Sequence, residues 1–125
     1  MSENISKEIR STVTSEGNIE LSITKAETPI PSADEVLIKV EAAPINPSDL
    51  GLLLSFAADL SSISTSGSED ETVTSMKIHP ALMGSMKPRL DQSMQAGNEG
   101  AGVIVDAGEN VKEVIAKTGE KFYLT

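Results

Sequence analysis

The sequence predicts a mainly β protein, an antiparallel barrel or sandwich with one short helix. Five segments have strand character, and Gly and Pro separate them. Long helical segments do not alternate with these strands, which argues against βαβ units and a parallel sheet. At 125 residues the chain has room for a single hydrophobic core. We therefore expect one domain over residues 1–125.

The first two strands form a predicted β-hairpin. Segments 9–14 and 18–25 flank the turn at Ser15–Gly17. In the second segment Ile19, Leu21 and Ile23 alternate with polar residues. This period of two is typical of a strand with one face in solvent and one in a core.

A third strand and a short helix come next. In segment 35–43, Val36, Ile38 and Val40 share one face, and a proline follows the segment. The apolar run 50–56 predicts a two-turn helix. Asn46 or Ser48 would cap this helix, with Pro47 near its first position.

The middle of the chain gives a weaker pattern. Segment 55–75 holds seven Ser, three Thr and an acidic triplet at 69–71, so we expect a long mobile loop. Segment 76–94 has no sustained period and is expected on the surface or over a site. We interpret about 55–93 as one long, irregular, flexible insert. The four methionines of segment 76–94 would line an apolar substrate entrance or, as methionine more often does, fill packing gaps: Met76, Met83, Met86 and Met94.

A glycine cluster opens the next strand. Gly97, Gly100 and Gly102 precede an apolar segment at 103–108, and a last strand is predicted at 121–124. Close glycines are compatible with a phosphate-binding loop, but the dinucleotide fingerprint has the order G-x-G-x-x-G and opens a helix. We favour glycines that permit a bulge or a close strand approach.

Composition excludes several classes of function. The net charge of −9 disfavours nucleic acid and anionic membrane surfaces as partners. Without cysteine the chain has no thiolate metal site, disulfide or thiol nucleophile, which is compatible with a cytoplasmic location. No apolar run is long enough for a signal peptide or a membrane span. The single histidine, His79, has no partner at a meaningful spacing and is expected at the surface.

Two motifs together carry a family resemblance. Residues 35–49 read EVLIKVEAAPINPSD, and residues 97–105 read GNEGAGVIV. This pair resembles the N-terminal GroES-like catalytic domain of the medium-chain dehydrogenase/reductase superfamily, in its zinc-independent NADPH:quinone oxidoreductase and enoyl reductase branch. The resemblance covers the chain apart from the insert and implies a partly open antiparallel GroES-like β-barrel.

The resemblance also implies a site. Asn46 and Asn98 stand where zinc-dependent relatives have a cysteine and a histidine ligand, and since an amide is a poor zinc ligand we expect no metal. Asn46, Pro47 and Asn98 would border the cofactor, Asn46 and Ser48 would donate hydrogen bonds at the reacting groups, and Asp49 would brace the turn. For Asn46 a plain helix cap is the alternative. For Glu99 a structural carboxylate is the favoured interpretation.

The implied activity is that of an NAD(P)H-dependent oxidoreductase, with a quinone or an α,β-unsaturated carbonyl as substrate. Such enzymes hold NADP or NAD mainly in a Rossmann-type domain, and this chain lacks that domain's fingerprint. We therefore expect a truncated part of a longer enzyme, inactive by itself. The alternative is a stand-alone β-barrel module that binds a protein or forms a homo-oligomer.

Overall fold

A computed structural model describes residues 5–112 and 123–124. Within them the chain divides into two units, each built from two separate stretches of sequence. The first unit contains residues 5–27 and 46–96, and the second contains 28–45 together with the described residues after 96.

The first unit contains a five-stranded sheet with the strand order β4-β5-β2-β1-β6. Every ladder in it is antiparallel. Three 3₁₀ turns accompany the regular elements, at Glu69–Glu71, Pro80–Leu82 and Lys87–Arg89. The regular elements are β1 (Ile5–Val13), β2 (Asn18–Glu27), α1 (Pro47–Leu53), β4 (Ala58–Ser66), β5 (Val73–Ile78), α2 (Met83–Met86) and β6 (Ser93–Gln95).

The predicted hairpin is confirmed. β1 and β2 pair over their whole length, from Ile5 opposite Glu27 to Val13 opposite Ile19. Gly17 in the turn has a φ of +90°, a value that glycine adopts without steric cost. The period of two also holds at the turn end of the hairpin, where Val13 and Ile19 are fully buried.

The core of the first unit lies on one face of the sheet near that turn. Its buried residues come from β1, β2, β5 and the segment after α1, and partly buried methionines from α2 pack against them. Met76, Met83 and Met86 therefore pack in or against the core, which agrees with the prediction that the methionines fill packing gaps. The buried members are Val13, Ile19, Ala57, Met76 and Ile78.

The expectation of an irregular insert at about 55–93 is wrong. β4 and β5 occupy most of 58–78, and β5 lies between β4 and β2 within the sheet. Around a shift in the β4–β5 register, Asp59 accepts hydrogen bonds from the backbone N–H and the hydroxyl of Ser61, at 3.0 and 2.6 Å. The hydroxyl of Ser62 in turn accepts the backbone N–H of Lys77 at 2.7 Å. Short polar side chains thus replace missing ladder bonds, so a serine-rich sequence forms an edge strand.

The second unit contains a three-stranded sheet with the order β3-β7-β8. The predicted strands at 35–43 and 103–108 are confirmed, with β7 beginning at the glycine cluster. Of the predicted last strand, residues 121 and 122 lie outside the described residues. The elements are β3 (Val36–Ala42), β7 (Gly100–Ala107) and β8 (Tyr123–Leu124).

The glycine cluster opens a strand, not a helix. The β3–β7 register shifts between Val40 and Ala42, next to the pair of Val40 with Gly102. A Cβ on Gly102 would overlap the carbonyl oxygen of Lys39 and lie 2.9 Å from the Cα of Val40. The interpretation as a close strand approach beside a bulge is therefore confirmed.

In the part of the chain that the structure describes, no helix has the length and apolar character needed to cross a bilayer.

Candidate functional site

The predicted site residues Asn46, Pro47, Ser48 and Asp49 form the N-terminus of α1. Asn46 is the residue before the helix, with an extended backbone at φ −91° and ψ 157°, and Pro47 opens the first turn. The carbonyl oxygen of Asn46 accepts hydrogen bonds from the backbone N–H groups of Asp49 and Leu50, at 3.0 and 3.3 Å. Proline fits here because the first helical N–H needs no partner and its φ is already helical.

The carboxylate of Asp49 closes this turn. Its Oδ2 accepts the backbone N–H of Asn46 at 2.8 Å, the reciprocal half of a capping box. Asp49 is only 5% exposed, although it carries a charge. Its Oδ1 is also buried and has no hydrogen-bond partner within the described residues. The negative charge lies in the first turn of the helix, where the helix dipole stabilises it.

The polar groups that remain available at the turn are neutral. Ser48 is exposed and Asn46 is half-buried, so a hydroxyl and an amide are the donors nearest to solvent. No Lys or Arg lies between positions 43 and 55. These donors fit a carboxamide or a ketone oxygen, whereas a phosphate would need a cation or several backbone N–H groups. The turn therefore offers neutral hydrogen-bond donors and no cationic side chain of its own.

The C-terminal end of α1 is held by a group that sequence reasoning missed. Nη2 of Arg89 donates to the carbonyl oxygen of Leu52 at 3.0 Å and to the hydroxyl of Ser11 at 3.1 Å. That hydroxyl donates to the same carbonyl at 3.0 Å, and Ser11 is fully buried. Burial lowers the pKa of the Arg89 guanidinium, which still remains charged at neutral pH. The only hint in the sequence is a lone arginine directly after Pro88.

Asn98 and Glu99 belong to the second unit, whereas Asn46, Pro47, Ser48 and Asp49 belong to the first. Both residues are exposed in the loop between Gly97 and β7. Gly97 has a φ of +95°, so this loop contains a backbone conformation that favours glycine. The structure thus brings together the four predicted residues at 46–49 and describes Asn98 separately.

His79 has a local structural role. Its Nδ1 accepts the backbone N–H of Ala81 at 3.3 Å, which caps a 3₁₀ turn, and its own backbone N–H donates to the carbonyl of Ala57. The side chain is exposed, as expected for an isolated surface imidazole.

Residues 46–49 line neither of two clefts in the part of the chain that the structure describes. One of about 330 Å³ in the first unit lies beside the hairpin turn, between Asn18, Lys77 and Met83. Another of about 260 Å³ in the second unit is lined by Pro31, Asp106 and neighbouring residues. Over residues 5–112 and 123–124, no three His, Cys, Asp or Glu side chains are grouped closely enough to hold a metal ion.

Comparison with known proteins finds no family model that matches this chain and no match among curated proteins.

Proposed function

We propose that this chain supplies the GroES-like catalytic portion of a cytoplasmic, zinc-independent, NAD(P)H-dependent oxidoreductase that acts on a quinone or an α,β-unsaturated carbonyl. The observation that carries the proposal is the closed turn at Asn46–Asp49. It leaves an amide and a hydroxyl as neutral donors at the start of a short helix, and Asp49 holds it in place.

The chemistry of these donors suits the proposed reaction. The cofactor supplies a hydride, and reduction of a quinone to a hydroquinone also consumes a proton. Asn46 and Ser48 would donate hydrogen bonds to the substrate oxygen, which gains negative charge as the hydride arrives. Neither side chain titrates near neutral pH, so the turn orients and polarises the reactants and the proton comes from solvent.

The strands of the second unit support the same proposal. β3 and β7 carry the strand portions of the two segments that resemble the oxidoreductase family, and they pair directly with each other. Asn98, at the start of the second segment, would border the cofactor in the proposed enzyme. The cofactor's phosphates would be held by a Rossmann-type portion that residues 1–125 do not contain.

The test uses the longest reading frame that contains these residues. We expect it to encode a strand followed by G-x-G-x-x-G, and the purified product to oxidise NADPH in the presence of a benzoquinone or an enone. Asn46→Ala and Ser48→Ala should each lower kcat/KM about tenfold or more, as for a lost hydrogen bond of about 1.4 kcal/mol in the transition state. Ser68→Ala, at an exposed serine, is the matched control.

Two results would overturn the proposal: a reading frame without a dinucleotide fingerprint, or a product that oxidises neither NADPH nor NADH with any of these acceptors. The 125-residue chain by itself should show no turnover above background.

A second function, a stand-alone self-assembly module, is favoured by one observation. Phe56 is fully exposed, and Leu60 and Ile63 on the edge strand β4 are more than half exposed. The three residues lie within an eight-residue stretch of sequence, and exposed large apolar side chains that form a patch often mark a protein contact. A discrete oligomer of the 125-residue chain in sedimentation, with one sharp thermal transition, would support the module, whereas a monomer would contradict it.

A further inference from the structure

Arg89 links two distant parts of the first unit through one backbone oxygen. The carbonyl of Leu52 lies in the last turn of α1, where helix carbonyls have no partner within the helix. It accepts hydrogen bonds from both Arg89 and Ser11. Ser11 lies on β1, so the guanidinium, the hydroxyl and the carbonyl together tie the helix to the sheet.

The guanidinium of Arg89 binds the Leu52 carbonyl and the Ser11 hydroxyl, and it forms no ion pair within the described residues. The ion pairs found there join other groups, and the Nε of Arg89 is buried without a partner. A positive charge at the C-terminal end of a helix is stabilised by the helix dipole, and a hydrogen bond from a charged donor is stronger than a neutral one. The arginine therefore binds the end of α1 and not a carboxylate.

We propose that Arg89 is the positioning residue for the turn at Asn46–Asp49. α1 is only seven residues long, about 10 Å at 1.5 Å per residue, so fixing one end fixes the other. Asp49 holds the N-terminal end from within the helix, and Arg89 holds the C-terminal end against β1. The inference rests on the proposed function only in taking this turn as the site.

The test compares three variants by amide hydrogen exchange in the full chain. Arg89→Met keeps the length of the side chain but removes the donors. Arg89→Lys keeps one charged donor, and Arg10→Met is the control because Arg10 pairs with Glu8 on the sheet. We expect Arg89→Met to speed exchange of the Leu50 and Leu54 amides about tenfold or more, with less than a twofold change in the β1–β2 hairpin. Arg89→Lys should restore part of the protection, and Arg10→Met should leave α1 unchanged.

Equal acceleration in α1 and in the hairpin would overturn the inference, because it would show a general loss of stability. Unchanged exchange in α1 would overturn it as well. If Arg89→Met does not fold, Ser11→Ala provides the test, because it removes one of the two donors to the Leu52 carbonyl. Ser11→Ala should speed amide exchange in α1 more than in the hairpin. Equal acceleration in both would refute the positioning role.

This readout is independent of enzymatic activity. If the longer product oxidises no NAD(P)H but exchange in α1 depends selectively on Arg89, the proposed function fails and the positioning role stands. If the product is active, Arg89→Met should lower kcat/KM there and Arg89→Lys should recover part of it. An active enzyme with uniform exchange effects would refute the positioning role alone.

Discussion

Substituting Gly102 by alanine tests the close approach of β3 and β7. The added Cβ would overlap the Lys39 carbonyl oxygen and lie 2.9 Å from the Cα of Val40. Both neighbours are backbone atoms, so the strands must separate. Overpacking costs about 1–3 kcal/mol, and a lost ladder hydrogen bond adds about 1 kcal/mol. We expect Gly102→Ala to lower the free energy of unfolding by roughly 2–4 kcal/mol.

Two other glycines provide matched controls. At Gly97 a Cβ would meet nothing within 4 Å, but the φ of +95° is unfavourable for alanine, so Gly97→Ala should cost only about 1–2 kcal/mol. At Gly51, inside α1, the space is also open and the backbone is helical. Gly51→Ala should therefore raise stability by about 0.5–1 kcal/mol.

Urea unfolding followed by circular dichroism at 25 °C would measure all three variants, and hydrogen exchange of the β3 and β7 amides would locate the effect. Gly102→Ala should lower the free energy of unfolding most and Gly97→Ala less, whereas Gly51→Ala should raise it. A Gly102→Ala variant within about 0.5 kcal/mol of the parent would refute the reasoning, since ordinary surface substitutions already reach that range.

Three further predictions concern the first unit. Ile19→Ala removes a fully buried side chain and should cost about 2–5 kcal/mol in urea unfolding; a loss under 1 kcal/mol would contradict the described core. Asp49→Ala removes the acceptor for the Asn46 N–H and should cost about 1 kcal/mol by the same assay, while an unchanged midpoint would rule out the capping role. The ammonium group of Lys7 lowers the pKa of Asp70 from its ordinary value of 3.8, so this pair adds stability above that pH and loses it as the pH falls through the lowered pKa. At pH 7 the thermal midpoint of Asp70→Asn should therefore lie below that of the parent. The difference between the two midpoints should shrink in strong acid and in high salt. A difference that does not depend on pH would refute the ion pair.

Where a strand carries an apolar pattern, the sequence predicted the fold well. The hairpin, β3 and β7 all show alternation or a continuous apolar run, and the turns between them contain glycine or proline. The helix was also predicted, and it begins at Pro47 as expected, although it ends at Leu53, before the end of the apolar run at 56. These signals are local, so one sequence was enough to find them.

β4 and β5 were missed for a physical reason. β4 is mostly exposed at the edge of its sheet, so its hydroxyl side chains carry little hydrophobic pattern. In β5, Met76 and Ile78 alternate with Ser75 and Lys77. This alternation covers only four residues and is followed by a proline, so it was too short to predict a strand. The polar composition was interpreted as the sign of a mobile loop, whereas the serine side chains complete the hydrogen bonding of a bulged edge.

The start of α1 at Asn46–Asp49 was predicted by its proline and its capping residues, which are short-range signals. The choice of this turn as a site comes from the family resemblance and stays a prediction. The contact between Arg89 and Leu52 joins positions 37 residues apart, and no local pattern indicates such a contact. The division into two units was missed because each unit is assembled from separate stretches of the chain.

That interleaved connectivity constrains how the protein folds. Ladder partners such as Asn18 and Lys77 are far apart along the chain, so β2 acquires its second neighbour only after the intervening residues have been synthesised. The β1–β2 hairpin can form within microseconds, whereas closing the long loop to β5 is entropically costly. During translation β2 therefore presents an open edge until β5 has been synthesised, and an open edge of this kind can pair with a strand of another copy.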